Sequence, residues 1–443
     1  MTEQGVRWTA DQVLALAPDA ASRAAGSKLG AASPWSGTGT CGEGTVWGEC
    51  KGGGSTPYRT VVDLAGRSGP AYQCSCPSRK FPCKHVLGLL LLWAGGDAVV
   101  PVGQAPDWAA RWTEGRRERA EAPGGGVADP EAARRRAERR AERVTAGALE
   151  LEQRLTDLLR AGLATADGAG YGQWEETAAR MIDAQAPGLA ARVRELGAIP
   201  GSGPGWPVRL LEECALLHLL DRGWLRRELL PDDLAATVRS RIGLPAPAQG
   251  PPVRDHWLVL AQYDTVDPKL TTRRIWLHGT ASGRTALILA YGAVGRAPEV
   301  SLPVGAALDA EVSAYPGGRQ FRVALGEQFA PTAPSAVRPP GGTTGQAAAR
   351  YGDALRHDPW LDAVPVTLDR VVPVPDGDSW QLADTDGDTA LPLAPAARSR
   401  PGLWRLIALS GGTPVTVFGE CGHQGFHPLT AWAEGPGEAV RLA

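Results

Sequence analysis

Four residues in one short stretch of the chain have side chains that could bind a metal ion. Cys74 and Cys76 form a pair two residues apart, and Cys83 and His85 form a second such pair after six intervening residues. Side chains at i and i+2 of an extended segment point to the same face, and two prolines in the connector can turn the chain back. Three thiols and one imidazole complete the tetrahedral coordination of zinc and leave no position open for water. The spacing therefore predicts one structural zinc ion.

Two other interpretations of these residues remain open, namely a cluster of buried thiols beside a core histidine, and a disulfide. Cys74 and Cys76 are too close to bridge each other comfortably, and the chain has an odd number of cysteines. The first residues, from Met1 to Arg7, are not followed by the apolar core of a secretory signal. We therefore expect a cytoplasmic protein in a reducing compartment, where closely spaced Cys and His favour a metal over a disulfide.

The segments around the four residues predict a small folded unit. Thr45–Lys51 and Tyr58–Leu64 have the composition of two strands joined by a Gly-rich turn, and Val86–Trp93 is apolar enough to be a buried helix. A unit of this size buries little apolar surface and usually needs a metal or a disulfide to be stable. We therefore expect residues 41–94 to form a zinc-stapled β-hairpin and helix.

This stretch resembles the SWIM zinc finger, whose pattern is Cys-x-Cys, a variable spacer and Cys-x-His in a β-hairpin followed by a helix. Cys74, Cys76, Cys83 and His85 match all four ligand positions, and the resemblance covers roughly Trp47 to Trp93. The wider layout is similar to SWIM proteins of actinobacterial type. The resemblance implies binding to nucleic acid or to proteins, without catalysis. It also implies, for the actinobacterial type, genes that lie beside those of AAA-type ATPases and von Willebrand A proteins.

The charge of the chain places any contact with nucleic acid on a local patch. The net charge is −2, so no global field attracts polyanions. Within residues 41–94, the basic residues outnumber the acidic ones by three. The residues best placed to contact nucleic acid or a partner lie beside the ligands: Lys51, Arg79, Lys80, Phe81 and Lys84. The alternative is that they form a solvated loop.

Composition and periodicity predict an α+β multidomain protein. It would have a small zinc-stapled finger, an α-helical middle domain and a β-rich C-terminal region. The predicted boundaries are 1–40 for an N-terminal helix and loop, 41–94 for the finger, 95–128 for a linker, 129–244 for the helical domain, 245–252 for a second linker and 253–443 for the β-rich region. Short strands with turn signals suggest that this last region is two small sheets or barrels, split near 331–345. The strands expected there include Leu403–Leu409, and residues 32–40 are expected to be a loop.

The middle domain should begin with a long helix that ends near Leu163. Apolar residues at 144, 148, 151, 155 and 158 form a single seam. The first half of the helix carries arginines interleaved with glutamates, which indicates an exposed, self-paired face; a basic arm for nucleic acid is the alternative. Cys214 and His218 lie at i and i+4 among leucines. Two ligands do not make a metal site, so we expect both to be core residues.

Several other motifs are too incomplete to indicate chemistry. The loop Gly279–Thr285 has too short a spacer for a phosphate loop and reads as a hairpin turn. The loop Asp384–Asp388 lacks the glutamate of a calcium loop. Cys421, His423 and His427 offer three possible ligands without a local fourth. The chain contains no recognised catalytic motif, so we expect a non-catalytic protein that binds nucleic acid, DNA or RNA, through the finger. The alternative is a protein-interaction adaptor, for which the resemblance implies an assembly with an AAA-type ATPase and von Willebrand A proteins.

Overall fold

The fold is taken from a computed structural model of the 443-residue chain. It describes residues 7–443 apart from 18–19, 42–43, 53, 55, 65–70, 79, 81, 97, 122–129, 165, 167–169, 245, 267–269, 294–297, 299, 318–320, 331, 387–388, 399–400 and 436. Within these residues, no helix combines the length and the apolar content that are needed to cross a membrane.

The N-terminal part is an antiparallel sheet whose strands neighbour one another in chain order. Its strands are β1 (Trp35–Thr40), β2 (Thr45–Cys50), β3 (Tyr58–Asp63) and β4 (Ala71–Cys74), and its helices are α1 (Ala10–Ala15), α2 (Ala20–Lys28) and α3 (Lys84–Ala94). Helix α3 buries four side chains completely against the sheet and the two N-terminal helices: Val86, Leu87, Leu89 and Leu90. These apolar residues make α3 the centre of this core.

The predicted hairpin is confirmed as β2 and β3, but the expected loop over residues 32–40 is wrong. Most of this segment is β1, which pairs with β2. A side chain at Gly39 would come within 2.5 Å of the Trp47 ring, so the glycine lets the indole lie flat against the strand. The single N-terminal helix expected within residues 1–40 is divided into α1 and α2. Thr9 and Gln12 form a capping box at the start of α1.

The expected linker over residues 95–128 contains a helix, α4 (Asp107–Glu121). Ala109 of this helix is fully buried against Trp47 and Val61 of the sheet. The Arg116 guanidinium lies 3.3 Å from a carboxylate oxygen of Asp63, which is also buried. Trp108 and Trp112 pack in the same cluster as Ala109, so α4 has a short apolar face. The linker interpretation failed because this face is short and lies in a segment dominated by charged residues, Gly and Pro.

The middle of the chain is a bundle of antiparallel and crossing helices. They are α5 (Pro130–Ala161), α6 (Gly170–Asp183), α7 (Pro187–Ala198), α8 (Trp206–Leu225) and α9 (Asp232–Ile242), with a 3-10 turn at Arg227–Leu229. The predicted seam is confirmed, because Val144, Ala148, Leu151 and Leu155 are all buried in the bundle core. The long helix supplies one wall of this core, and the shorter helices pack across it.

The β-rich region begins with a small barrel. Its strands are β5 (Val253–Val266), β6 (Leu270–Gly279), β7 (Thr285–Ala293), β8 (Ala306–Ala314) and β9 (Arg322–Gln328), with a short edge strand β10 (Ala333–Pro334). The barrel closes because β8 pairs with both β5 and β9, and β9 also pairs in parallel with β7. Closure removes most free strand edges from this sheet.

A second sheet follows, in the order β13-β12-β11-β14-β15-β16. Its elements are α10 (Thr344–Leu355), β11 (Ala363–Asp376), β12 (Ser379–Asp384), β13 (Ala390–Pro392), α11 (Pro395–Arg398), α12 (Pro401–Ser410), β14 (Val415–Gly422), β15 (Gly425–Ala433) and β16 (Val440–Arg441). The strand expected at Leu403–Leu409 is wrong, because this segment lies in helix α12. Leu403, Leu406 and Ser410 are buried at helical spacing, while Trp404 is 66% exposed. An apolar run of this length fits the period of a helix as well as that of a strand, so the sequence alone did not distinguish the two structures.

Specific hydrogen bonds join these parts. The Trp8 indole donates to the carbonyl oxygen of Thr332 at 2.8 Å, which attaches the N-terminal helices to the barrel. The Tyr263 hydroxyl donates to Glu420 at 2.8 Å, between the barrel and the second sheet. The Trp360 indole is buried in the bundle core and donates to the carbonyl of Leu216 at 2.8 Å. The finger therefore belongs to a larger body.

Candidate metal centre

The four predicted metal ligands converge at the junction of β4 and α3. Cys74 is the last residue of β4, Cys83 is the N-cap of α3, and His85 lies in the first turn of α3. The three sulfur atoms and a ring nitrogen all lie within 4.8 Å of one another. The Nδ1 atom of His85 is 3.7 Å from the sulfur of Cys74 and 4.0 Å from that of Cys83.

Local structure explains why these side chains meet. Cys74 is held by the pairing of β4 with β3, opposite Thr60. Cys83 has extended backbone angles, φ −75° and ψ 168°, and its carbonyl accepts the first helical hydrogen bond, from Leu87. The chain therefore changes from extended to helical between the two ligands of the second pair. This change directs the Cys83 sulfur and the His85 ring to the end of β4.

The centre is buried on the side of Cys83 and His85, while Cys74 and Cys76 are half-buried. Cys83 is 1% exposed and His85 is 4% exposed. The hydroxyl of Thr60, itself fully buried, lies 3.3 Å from the sulfur of Cys74. The ring of Tyr58 lies 4.8 Å from that of His85, between centroids. Groups that contact ligands in this way fix the orientation of those ligands and tune a bound metal. Sequence reasoning did not identify Thr60, because only the register of β3 on β4 brings it to Cys74.

The electrostatics of the cluster favour a cation. Hydrogen bonds with Cys74 and Cys76, together with burial, raise the pKa of Cys83 well above its ordinary value. Hydrogen bonds with Cys74 and Cys83 hold the pKa of Cys76 far below its ordinary value. Burial lowers the pKa of His85, but hydrogen bonds with Cys74 and Cys76 outweigh burial and raise it to about 9. These groups restrict one another's ionisation, and a divalent ion allows three thiolates to coexist beside a neutral imidazole.

The donor set fits zinc. Bond lengths of about 2.3 Å to sulfur and about 2.0 Å to nitrogen place tetrahedral donor atoms roughly 3.5–3.8 Å apart. The two sulfur–nitrogen separations of 3.7 and 4.0 Å are close to this range, and a small inward movement of the side chains would complete the tetrahedron. Cys74, Cys76, Cys83 and His85 therefore form one Cys3His site for a single structural zinc, as the spacing predicted. All four tetrahedral positions would be filled by protein, so the zinc would supply folding energy and no open position for a substrate.

The predicted contact residues are only partly described. Lys51, Lys80 and Lys84 are exposed. Arg79 and Phe81 lie outside the described residues. Lys84 stands between two ligands in sequence. Burial raises the pKa of the nearby Cys50 thiol, and the positive charge of Lys84 opposes this rise. The role of these residues in contact stays a prediction.

The other candidate metal ligands do not form a second site. Among the described residues, only the Cys3His group brings three or more possible ligands together. Cys421 is buried in the second sheet, and the Nδ1 atom of His427 is 4.0 Å from Glu420.

Cys214 is a core residue as expected, but His218 is not. Its side chain is 52% exposed, and its Nδ1 atom lies 2.8 Å from a carboxylate oxygen of Glu152.

The loops that resemble ligand-binding motifs have structural roles where they are described. The Asp255 carboxylate accepts hydrogen bonds from the backbone N–H groups of Ala281 and Ser282, which fixes the hairpin turn between β6 and β7. The Asp384 carboxylate accepts bonds from the N–H and hydroxyl of Thr344 at the start of α10. Residues 387–388 of the second loop are not described.

Two parts of the chain match known families. Residues 58–94 match the SWIM zinc finger, and residues 139–242 match the SWIM-associated four-helix bundle domain. Neither a curated protein nor a solved structure matched the chain. The first match spans all four zinc ligands, and the second spans most of the helical bundle. The chain therefore carries a SWIM zinc finger, with Cys74, Cys76, Cys83 and His85 as its ligands, followed by a SWIM-associated helical bundle.

Proposed function

We propose that this protein is a non-catalytic, cytoplasmic zinc-finger protein that binds nucleic acid through the finger. The observation that carries the proposal is the distribution of charge around the zinc site. Glu49 and Asp63 are both engaged by arginines, Glu49 by Arg59 at 3.1 Å and Asp63 by Arg116 at 3.3 Å. The acidic groups described in the finger are thus neutralised within the protein.

The lysines of the finger remain exposed. Lys51, Lys80 and Lys84 present their charges to solvent near the ligand cluster. Three thiolates around one divalent ion carry a net negative charge, which Lys84 partly offsets. Exposed lysines on a compact metal-stapled unit suit contact with a phosphate backbone, whose affinity falls steeply with salt. The finger would recognise the polyanion, and the zinc would hold the recognising surface in shape.

A mobility shift or fluorescence anisotropy measurement with the full chain tests this proposal. The variant Lys80→Ala/Lys84→Ala should weaken binding and reduce the slope of log affinity against log salt by about 2, since each phosphate contact contributes about 0.9. Zinc content must be unchanged in this variant, because Lys84 lies between two ligands. Lys28→Ala, at the end of α2, is a control for general loss of charge. Wild-type affinity and slope in the double variant would contradict the proposal.

A protein partner is the second candidate, and a surface of α8 favours it. Val208, Leu211 and Leu219 are 62%, 47% and 45% exposed, and at 3.6 residues per turn they lie on one side of the helix. In this case the protein would be an adaptor of the actinobacterial type, in an assembly with an AAA-type ATPase and von Willebrand A proteins. A pull-down with purified proteins of these two classes should then depend on Leu211, and Leu211→Glu should abolish it.

A further inference from the structure

Helix α5 separates its charges onto two faces in its first half. At 3.6 residues per turn, four arginines fall within about 100° of one another, and the three glutamates fall on the opposite face. The basic face consists of Arg136, Arg139, Arg140 and Arg143, and the acidic face of Glu131, Glu138 and Glu142. Arginines and glutamates alternate along the sequence, but in the helix they lie on different faces.

The ion pairs in the first half of α5 involve its other two arginines. Arg134 pairs with Glu138 at 2.9 Å, and Arg135 pairs with Glu131 at 3.3 Å. The expectation of a self-paired face is thus correct for these two pairs. None of the four arginines on the basic face forms an ion pair with a residue that the structure describes.

The basic face forms one wall of a groove. The other wall is the turn between α6 and α7, and the groove has a volume of about 640 Å³. Its described lining consists of the four arginines with Ile182, Gln185 and Pro187, and no acidic side chain is among these residues. Asp183, next to the groove in sequence, acts electrostatically on Arg180 of its own helix. The groove is therefore positive along its whole length.

Arg140 is the half-buried member of the basic face. One of its terminal nitrogens donates to the carbonyl oxygens of Gln185 and Gly243, both at 3.5 Å. Its Nε atom is buried and has no hydrogen-bond partner among the described residues. Arg136, Arg139 and Arg143 are exposed around it. Like charges three and four residues apart destabilise a helix. Because no acidic side chain that the structure describes pairs with the four arginines of the basic face, their arrangement indicates that an external anion binds them.

We propose that this arginine groove is a second nucleic-acid contact, which binds the phosphate backbone of a duplex without reading its sequence. The inference deepens the proposed function and rests on it for the class of ligand. Arginine forks bind phosphate oxygens through paired hydrogen bonds. From Arg136 to Arg143 the helix rises about 10 Å, which spans about three phosphates of one strand at 3.4 Å each.

The lining also indicates the form of nucleic acid. Proteins that hold single strands stack bases on aromatic side chains, and none of the described residues that line the groove is aromatic. Guanidinium groups held on one face of a helix suit a stiff polymer of regular charge. An acidic protein segment is the competing occupant, and the experiment separates the two.

The test compares variants of the full chain by anisotropy of a labelled duplex at several salt concentrations. Arg139→Ala/Arg143→Ala should weaken binding at least tenfold and lower the salt slope by about 2. Arg134→Ala/Arg135→Ala removes the same charge from the same helix but from the ion-paired face, and it should bind as the wild type does. Equal effects of the two double variants, or no effect of either, would overturn the proposal that the groove binds a duplex.

The finger variant Lys80→Ala/Lys84→Ala makes the two proposals separable. If the groove variant binds more weakly and the finger variant binds as the wild type does, the result supports duplex binding by the groove and rejects nucleic-acid binding by the finger. If only the finger variant binds more weakly, the result rejects duplex binding by the groove and leaves the proposal for the finger intact. If the wild type ignores duplexes but binds polyglutamate through Arg139 and Arg143, the duplex assignment is overturned in favour of an acidic partner.

Discussion

Replacing Cys83 by serine should remove zinc and release helix α3 from the finger. Cys83 is 1% exposed and is both a zinc ligand and the N-cap of α3. Structural zinc binds finger peptides with an apparent free energy of about 10–16 kcal/mol at pH 7. Shared evenly among four ligands, this corresponds to roughly 3 kcal/mol for one thiolate, which is a loss of about a hundredfold in zinc affinity.

The structure shows what depends on this loss. Four residues of α3 are fully buried, and each buried leucine or valine contributes about 1.5–3 kcal/mol to stability. That contribution requires the first turn of α3 to stay at the end of β4, where the metal holds it. The amide hydrogens of α3 should therefore exchange much faster in Cys83→Ser, and a chelating dye should take zinc from the variant at lower dye concentration.

Cys214→Ser is the matched control. Cys214 is 2% exposed in the bundle core, so the variant makes the same atomic change at equal burial and far from the zinc ligands. It should lower the stability of the bundle and keep one zinc per chain. The ligand assignment is refuted if Cys83→Ser retains one zinc at wild-type affinity with α3 still protected from exchange.

Two further predictions concern packing and pH. Gly88→Ala should destabilise the N-terminal part by about 1–3 kcal/mol, because the new Cβ would lie 2.6 Å from the Cβ of Leu29 and 3.0 Å from its backbone oxygen. Gly115→Ala in α4 meets nothing within 4 Å and should be neutral or stabilising in the same thermal melts. Burial, with the charge of Glu152, raises the pKa of Asp221 to about 8. The folded chain then keeps a proton that the unfolded chain loses near pH 4. This stabilisation, on the order of 5 kcal/mol, is therefore fully present below about pH 4 and declines steadily until it is gone above about pH 8. Chemical unfolding from pH 5 to 9 should show this decline in the wild type and a flatter profile in Asp221→Asn; equal slopes would contradict the prediction.

The sequence by itself determined the metal site and the helical seams. Ligand type and spacing are local properties, so Cys74, Cys76, Cys83 and His85 could be identified without coordinates. The seam that begins at Val144 was visible for a similar reason, since an amphipathic helix carries its burial pattern in its own period. These features depend on neighbours in sequence, and they survive in the fold.

The tertiary structure decided what depends on distant partners. Helix α4 is buried through Ala109 only because Trp47 lies opposite, and Arg116 is neutralised by an aspartate from another element. The apolar segment around Leu406 is a helix because its surroundings bury one side of it. The arginines of α5 line a groove because the turn at Gln185 faces them. In each case, the free energy comes from contacts between residues far apart in the chain, and no local pattern records those contacts.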